Sequence, residues 1–147
     1  IFASEDVGNA EPHALPLAVA AQQAIERIGM PEAPINLAHA ITFLACAPKS
    51  NAAYLGIERA TAAVRESGAA EVPMHLRNAP TRLLQELGYG DGYRYAHDAP
   101  DAFVETWNLP EGIPDAAFYE PGEHGEEAAI RARLAAWRAR RRAPRDT

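Results

Sequence analysis

The amino-acid sequence predicts an all-α chain, and three observations carry that expectation. Apolar residues recur at helical spacing in several stretches. Alanine, the best helix former, crowds the same stretches. Glycine and proline fall at their ends, where helices start and stop.

The elements follow in order. Asn9 is a candidate N-cap, Pro12 falls in the first turn, and a helix runs over Ala14–Ile28 until Gly29. Its apolar face is Leu17, Ala20, Ala21, Ala24, Ile25 and Ile28. Pro16 is unwelcome in a helix interior, so the helix is expected to start late or kink there. Met30–Pro34 reads as a linker. A second helix spans Asn36–Ala47, with Leu37, Ala40, Ile41 and Leu44 on its face, and Pro48 ends it. Ser50 or Asn51 caps a third helix reaching Glu66 or Ser67, with Gly68 beyond. Ala52, Ala53, Ala60, Ala62 and Ala63 place this helix at the centre of a bundle, since small side chains allow close approach.

A polar break at residues 68–71 and an extended Val72–Met74 lead to a short fourth helix, Thr81–Leu87. Asn78 is its candidate N-cap and Gly88 its left-handed stop. Residues 89–122 form a long irregular segment punctuated by Pro100, Pro110, Pro114 and Pro121. Within it, Tyr93–Tyr95 and Ala117–Tyr119 are candidates for a small two-stranded ribbon. The last helix runs over Glu123–Arg142. Ile130, Leu134 and Trp137 form its docking stripe, and acids lead and arginines close it, as the helix dipole favours.

Composition bounds the function. The 147 residues fit one domain, or one and a half small ones, and can bury a real core. The single cysteine, Cys46, excludes an internal disulfide and suits a reducing, cytosolic setting. Its apolar surroundings, Phe43 to Ala47, predict a buried, inert thiol. The longest uncharged stretch, Ala33–Pro48, is too short and too polar to span a membrane. The opening Ile1–Asp6 has neither an initiator methionine nor a leader pattern, which reads as a piece of a longer chain. The net charge of -6 hides an asymmetry. Arg131, Arg133, Arg138, Arg140, Arg141, Arg142 and Arg145 crowd the C-terminal end, while the rest is strongly acidic. Only the last helix offers cationic surface to a nucleic acid.

Motifs for chemistry are sparse. There is no phosphate-cradling glycine loop ahead of a lysine, and Lys49, the only lysine, follows a proline. The five histidines lie at no metal-binding spacing. His97–Asp98 invites a general-base reading, but the simpler one is that Asp98 caps the next turn and His97 bonds a backbone carbonyl. A hydrolase built on that pair is set aside. In Gly88–Asp98 (GYGDGYRYAHD), Tyr89, Tyr93 and Tyr95 beside Arg94 resemble a base-stacking platform. Asp91, Asp98 and Asp101 oppose that role, so the rings are expected to anchor the irregular segment to the helices. The arginine-rich end has two readings: a solvated helix end running into a disordered tail at 143–147, or a phosphate-contacting surface through Arg138, Arg140, Arg141 and Arg142.

Four blocks then stand out together: Ile1–Ala10 (IFASEDVGNA), Leu44–Ala52 (LACAPKSNA), Val72–Thr81 (VPMHLRNAPT), and Gly88–Gly90 (GYG) with Tyr93–Asp98 (YRYAHD). In order and spacing they resemble the family of bacterial replication-associated recombination protein A, also called MgsA, whose eukaryotic relative is the Werner helicase-interacting protein. Leu109–Gly112, Phe118–Tyr119 and Gly125–Trp137 fit the family's C-terminal end. These are AAA+ ATPases of the clamp-loader branch.

The resemblance implies an all-α bundle like the clamp-loader collar. Residues 1–10 would end the ATPase lid, residues 11–142 would form a tetramerising domain, and 143–147 a tail. It implies no enzyme in this piece, with ATP and magnesium bound in an N-terminal half outside it. The intact protein would be a DNA-dependent ATPase at stalled forks, cytoplasmic and nucleoid-associated, partnered by itself, DNA and single-strand-binding protein, with no membrane. Pro48, Lys49, Ser50, Asn51, His75, Arg77, Asn78, Pro80, Tyr89, Tyr93, Tyr95, His97 and Asp98 would be signature residues bracing the oligomer. The alternative is a DNA- or partner-binding module that uses the arginine-rich helix and the tyrosine segment.

Overall fold

A computed structural model describes residues 1–68, 70–113 and 117–142. Among the described residues all regular structure is helical. The expected tail at 143–147, and Pro114, lie outside them. Two units divide the chain: Ile1–Ala60 with Ala117–Arg133, and Thr61–Ala116 with Leu134–Thr147.

The first unit opens with a π-helical turn, Ala3–Val7, and a 3-10 turn, Gly8–Ala10. Helix α1 follows over Ala14–Ile28 and α2 over Ala33–Cys46. The two pack against each other, and the opening turn packs on α1. The core is built from small residues: Ala3, Val7 and Ala14 are buried, with Ala18, Phe43, Leu44 and Ala47 around them. Such a core permits close backbone approach but buries little apolar area per side chain.

Several expectations shift by a turn. His13, not Asn9, is the N-cap position of α1. Pro16 therefore sits in the first turn, where a missing N–H costs nothing, and the helix is uninterrupted. Helix α2 starts at Ala33 because Pro34 fits a helix start as well as a linker. Its inward positions are Ala33, Ala40, Phe43 and Leu44, whereas Leu37 and Ile41 face outward, 48% and 55% exposed. Cys46 is exposed, not buried. An apolar stretch does not fix which side of a helix is covered, and Cys46 ends α2 on its open side.

Helix α3, Ala52–Ser67, begins in the first unit. It is not at the centre of a bundle: only Ala52 and Gly56 are buried. What its small residues admit is an irregular chain. A side chain at Gly56 would stand 3.4 Å from the Phe118 carbonyl, and the Arg59 guanidinium donates to that carbonyl and to Glu120.

In the second unit, α4 spans Arg82–Glu86. Thr81 is its N-cap, its hydroxyl accepting from the Leu84 N–H; Asn78 is not. Pro80 holds the preceding residue extended, so the helix starts only after it. Leu84 and Gln85 carbonyls receive the N–H groups of Tyr89 and Gly88, closing the helix at left-handed Gly88.

The two-stranded ribbon is absent among the described residues. The Tyr93 N–H closes a turn on Gly90, while Phe118 lies against α3 in the other unit. Helix α5 covers Glu127–Arg142, one turn shorter than expected, because residues 123–126 form a turn around left-handed Gly125.

Gly125 has a φ of +55°, and a Cβ there would fall 2.0 Å from the Ala10 carbonyl oxygen. Gly29 has a φ of +69° but open space around it. Gly125→Ala should therefore destabilise by about 3 kcal/mol or more, and Gly29→Ala by only about 1 kcal/mol. Urea unfolding of the two variants checks this; equal losses would mean that the close approach at residue 125 is not native.

Candidate functional site

In the first unit one side chain organises the polar contacts. Glu127, the first residue of α5, is fully buried. Its Oε2 accepts from the Ser50 hydroxyl at 2.6 Å and from the Gly122 N–H at 2.6 Å. Its Oε1 accepts from the Tyr119 hydroxyl at 2.8 Å, which in turn accepts from the Asn9 amide at 3.1 Å. Two backbone bonds run beside this network. The Ser50 N–H donates to the Asp6 carbonyl, and the Glu126 N–H to the Ala10 carbonyl.

Three separate stretches thus meet at one carboxylate: the opening turns, the α2–α3 connection and the entry to α5. Gly8 makes this approach possible, because a Cβ there would lie 2.7 Å from the Ser50 carbonyl oxygen. Burial pushes the Tyr119 hydroxyl above its usual pKa; the Asn9 amide opposes this shift and the Glu127 carboxylate adds to it.

Among the signature residues of the α2–α3 connection, Pro48 borders Gly125. The Lys49 ammonium donates to the Leu44, Ala45 and Ala47 carbonyls, closing the end of α2. It also lies 5.6 Å from the centre of the Phe2 ring. Ser50 accepts from the Ala52 N–H, and the Asn51 carbonyl receives the Leu55 N–H.

In the second unit Arg77 has the comparable position. Its guanidinium donates to the Val72 carbonyl at 2.6 Å and the Glu71 carboxylate at 2.6 Å, and lies over the Tyr89 ring at 5.2 Å. The Glu71 carboxylate, ahead of the Tyr89 hydroxyl, holds the guanidinium pKa above its usual value. The Gly90 N–H bonds the Met74 carbonyl, so Gly88–Gly90 wraps the 3-10 turn Met74–Leu76. The His75 ring pairs with the Asn108 side-chain oxygen at 3.1 Å. Asn78 and Pro80 are exposed.

Tyr89 is the one ring of the trio that is half-buried. Tyr93 and Tyr95 are 57% and 56% exposed, so they do not anchor the segment. Gly90 and Gly92 both hold left-handed φ, 76° each, in the turns that precede them. The His97 ring lies 5.0 Å from that of Tyr95, tilted by 53°. Asp98 does not cap the next turn: its N-cap is Ala99, without a side-chain bond.

Arg140 and Arg141, two of the four candidate DNA-contacting arginines, have partners inside the second unit. Arg140 bonds Asp101 at 3.1 Å and Glu105 at 3.3 Å, and lies 4.9 Å from the centre of the Phe103 ring. Arg141 lies 5.0 Å from the Trp107 ring, and Phe103 stacks on Trp137 at 5.2 Å. Arg138 and Arg142 carry interactions of their own. Asp101 and Ala102 hold left-handed backbone, φ 59° and 50°, at a cost on the order of 1–3 kcal/mol for each such residue.

Among the described residues no cluster of three metal-binding side chains occurs, and no helix is long and apolar enough to cross a membrane. Glu127, Tyr119 and Asn9 escape a reading of the sequence, because a glutamate in a helix's first turn looks like solvated dipole compensation.

The described residues are all-α, and the first unit is built around a polar joint. The comparisons are more specific: residues 1–138 match the family described as MgsA AAA+ ATPase C terminal, and the chain belongs to it. The chain is 46% identical to replication-associated recombination protein A of Coxiella burnetii over 138 residues, 93% of this chain and 31% of that protein. It is 48% identical to the protein of the same name from Escherichia coli K12 over 136 residues, 91% of this chain and 30% of that one. With ATPase WRNIP1 of Dictyostelium discoideum it shares 40% identity over 120 residues, 81% of this chain and 14% of that protein. The chain thus spans about a third of the length of the bacterial relatives it matches.

Replacing Glu127 by glutamine leaves one acceptor oxygen for three donors. Glu127→Gln should cost about 2–3 kcal/mol in urea unfolding. A neutral result would show that the carboxylate is not buried. Because the folded Tyr119 pKa is raised, its contribution is complete below the ordinary value of 10.0 and is lost as pH rises through the folded value. Tyr119→Phe should remove that alkaline loss.

Proposed function

We propose that this chain is the tetramerisation module of an AAA+ ATPase acting in replication-associated recombination. It forms a collar that holds subunits together and carries no reaction centre of its own. ATP and magnesium would be handled by the ATPase region of the intact protein, a DNA-dependent ATPase at stalled forks in the cytoplasm, on the nucleoid, together with single-strand-binding protein.

The observation supporting this reading is where the large apolar side chains lie. The buried apolar residues among those described are Ala3, Val7, Ala10, Ala14, Ala33, Ala40 and Ala52, six of them alanines. Leu15, Val19, Ile35, Leu37, Ile41 and Ile57 are each about half or more exposed. Helix α2 is apolar on its outward as well as its inward side, which a monomer has no use for. Burying one such side chain against a partner is worth about 2 kcal/mol. Exposed apolar surface of this kind marks contacts between protein chains. Tyr93 and Tyr95 add rigid aromatic surface of the type enriched in interfaces.

Light scattering over a concentration series should give a tetramer mass at micromolar concentration. The double variant Leu37→Asp/Ile41→Asp should give a monomer with unchanged helix content. A monomer at every concentration for the unaltered chain would overturn the reading.

A further inference from the structure

The arginine-rich end of α5 has a partner within its own unit, and that partner is an acidic strap. Residues 98–105 carry Asp98, Asp101 and Glu105, and two of these carboxylates hold the Arg140 guanidinium. A guanidinium fork recognises carboxylate and phosphate oxygens by the same geometry. The strap therefore places carboxylates where phosphate oxygens would be received. We propose that Arg140 and Arg141, with the rings of Phe103 and Trp107, form a binding patch for the phosphodiester backbone of single-stranded nucleic acid, and that Asp101 and Glu105 occupy it until the polymer displaces them.

Three features favour this assignment. The ion pairs are displaceable: Arg140 is one-third exposed and Asp101 is 77% exposed, a setting in which single pairs are weak. The strap is also held against its backbone preference, since Ala102 adopts left-handed φ without glycine's freedom. Releasing it relieves that conformation. Finally, guanidiniums alternate with aromatic faces: Arg140 over Phe103, Phe103 on Trp137, and Arg141 over Trp107. Alternating cationic and aromatic groups suit a strand whose bases can stack, and are not needed by an anionic lipid surface. The patch is built from residues of the second unit and the exposed apolar faces of α1 and α2 belong to the first, so its residues are not those of the tetramerisation reading.

The test is fluorescence anisotropy of the full chain with a labelled single-stranded oligonucleotide at several salt concentrations. Asp101→Asn/Glu105→Gln should bind about five-fold more tightly, the equivalent of losing one competing surface ion pair. Its salt dependence should steepen by ~0.7 in log–log slope for each guanidinium released to a phosphate. Arg140→Ala/Arg141→Ala should lose most of the binding, and adding it to the strap variant should cancel the gain. Glu32→Gln/Glu66→Gln makes the same change of net charge at residues outside the strap and should gain less.

Equal gains from the two charge-neutralising pairs would overturn the proposal, as would a gain that survives removal of Arg140 and Arg141. Tightening toward anionic vesicles and not toward the oligonucleotide would overturn it in favour of a membrane. If a double variant loses helix content, the single variants Asp101→Asn and Glu105→Gln carry the same comparison.

Discussion

Glu127 is a carboxylate with no exposed surface, answered by a hydroxyl from Ser50, a hydroxyl from Tyr119 and the backbone of Gly122. Taking a charge out of water costs several kcal/mol even after relaxation. Each hydrogen bond to a charged acceptor returns about 1.5–3 kcal/mol, so three of them offset that cost. Tyr119 and Gly122 come from the segment just ahead of α5, Ser50 from a stretch 77 residues away, and Asn9 is added through Tyr119. The opening turns, the start of α3 and the start of α5 are therefore positioned by one another. Remove one donor and the carboxylate is under-satisfied; remove the carboxylate and three donors are orphaned. Such a network has only one arrangement that satisfies it, which compensates for a core too poor in large side chains to define one.

That poverty has a second consequence. Alanine at Ala3, Ala14, Ala33 and Ala40 lets the opening turn, α1 and α2 approach closely, but leaves the larger residues of the same helices outside. Leu15, Ile35, Leu37 and Ile41 of α1 and α2 lie at the surface, where the proposed association would cover them.

Much of the fold was legible because it depends on local signals. Gly29 and Gly68 end α1 and α3 where left-handed glycine is expected, and the heptad-like stripe Ile130, Leu134 and Trp137 is half-buried as its spacing requires. What was not legible depends on partners distant in sequence. Cys46 sits in an apolar run that has two sides, and local pattern says nothing about which side finds a neighbour. Asn78 and Thr81 both offer capping chemistry, and the choice is made by Pro80 between them. Tyr93 and Tyr95 have the composition of an anchor, but which rings of an irregular segment find cover is set by tertiary neighbours, and these two stay exposed. Glu127 was seen as a dipole charge, since nothing nearby announces Tyr119 or Ser50 as its donors.

The charge asymmetry of the sequence teaches the same lesson in electrostatic terms. Counted along the chain, the C-terminal end is strongly basic and the remainder acidic. Counted in space, Arg131 pairs with Glu123, and Arg140 pairs with acids 39 and 35 residues away. Arg140 is thus held by carboxylates of the irregular segment and Arg131 by one just ahead of α5, and the field these two present is smaller than their charge suggests. A cationic surface that is neutralised internally responds to partners by exchange, not by simple attraction. Its affinity for an anion is set by the difference between two occupants of the same guanidiniums, so the residues that decide it include acids that never touch the ligand.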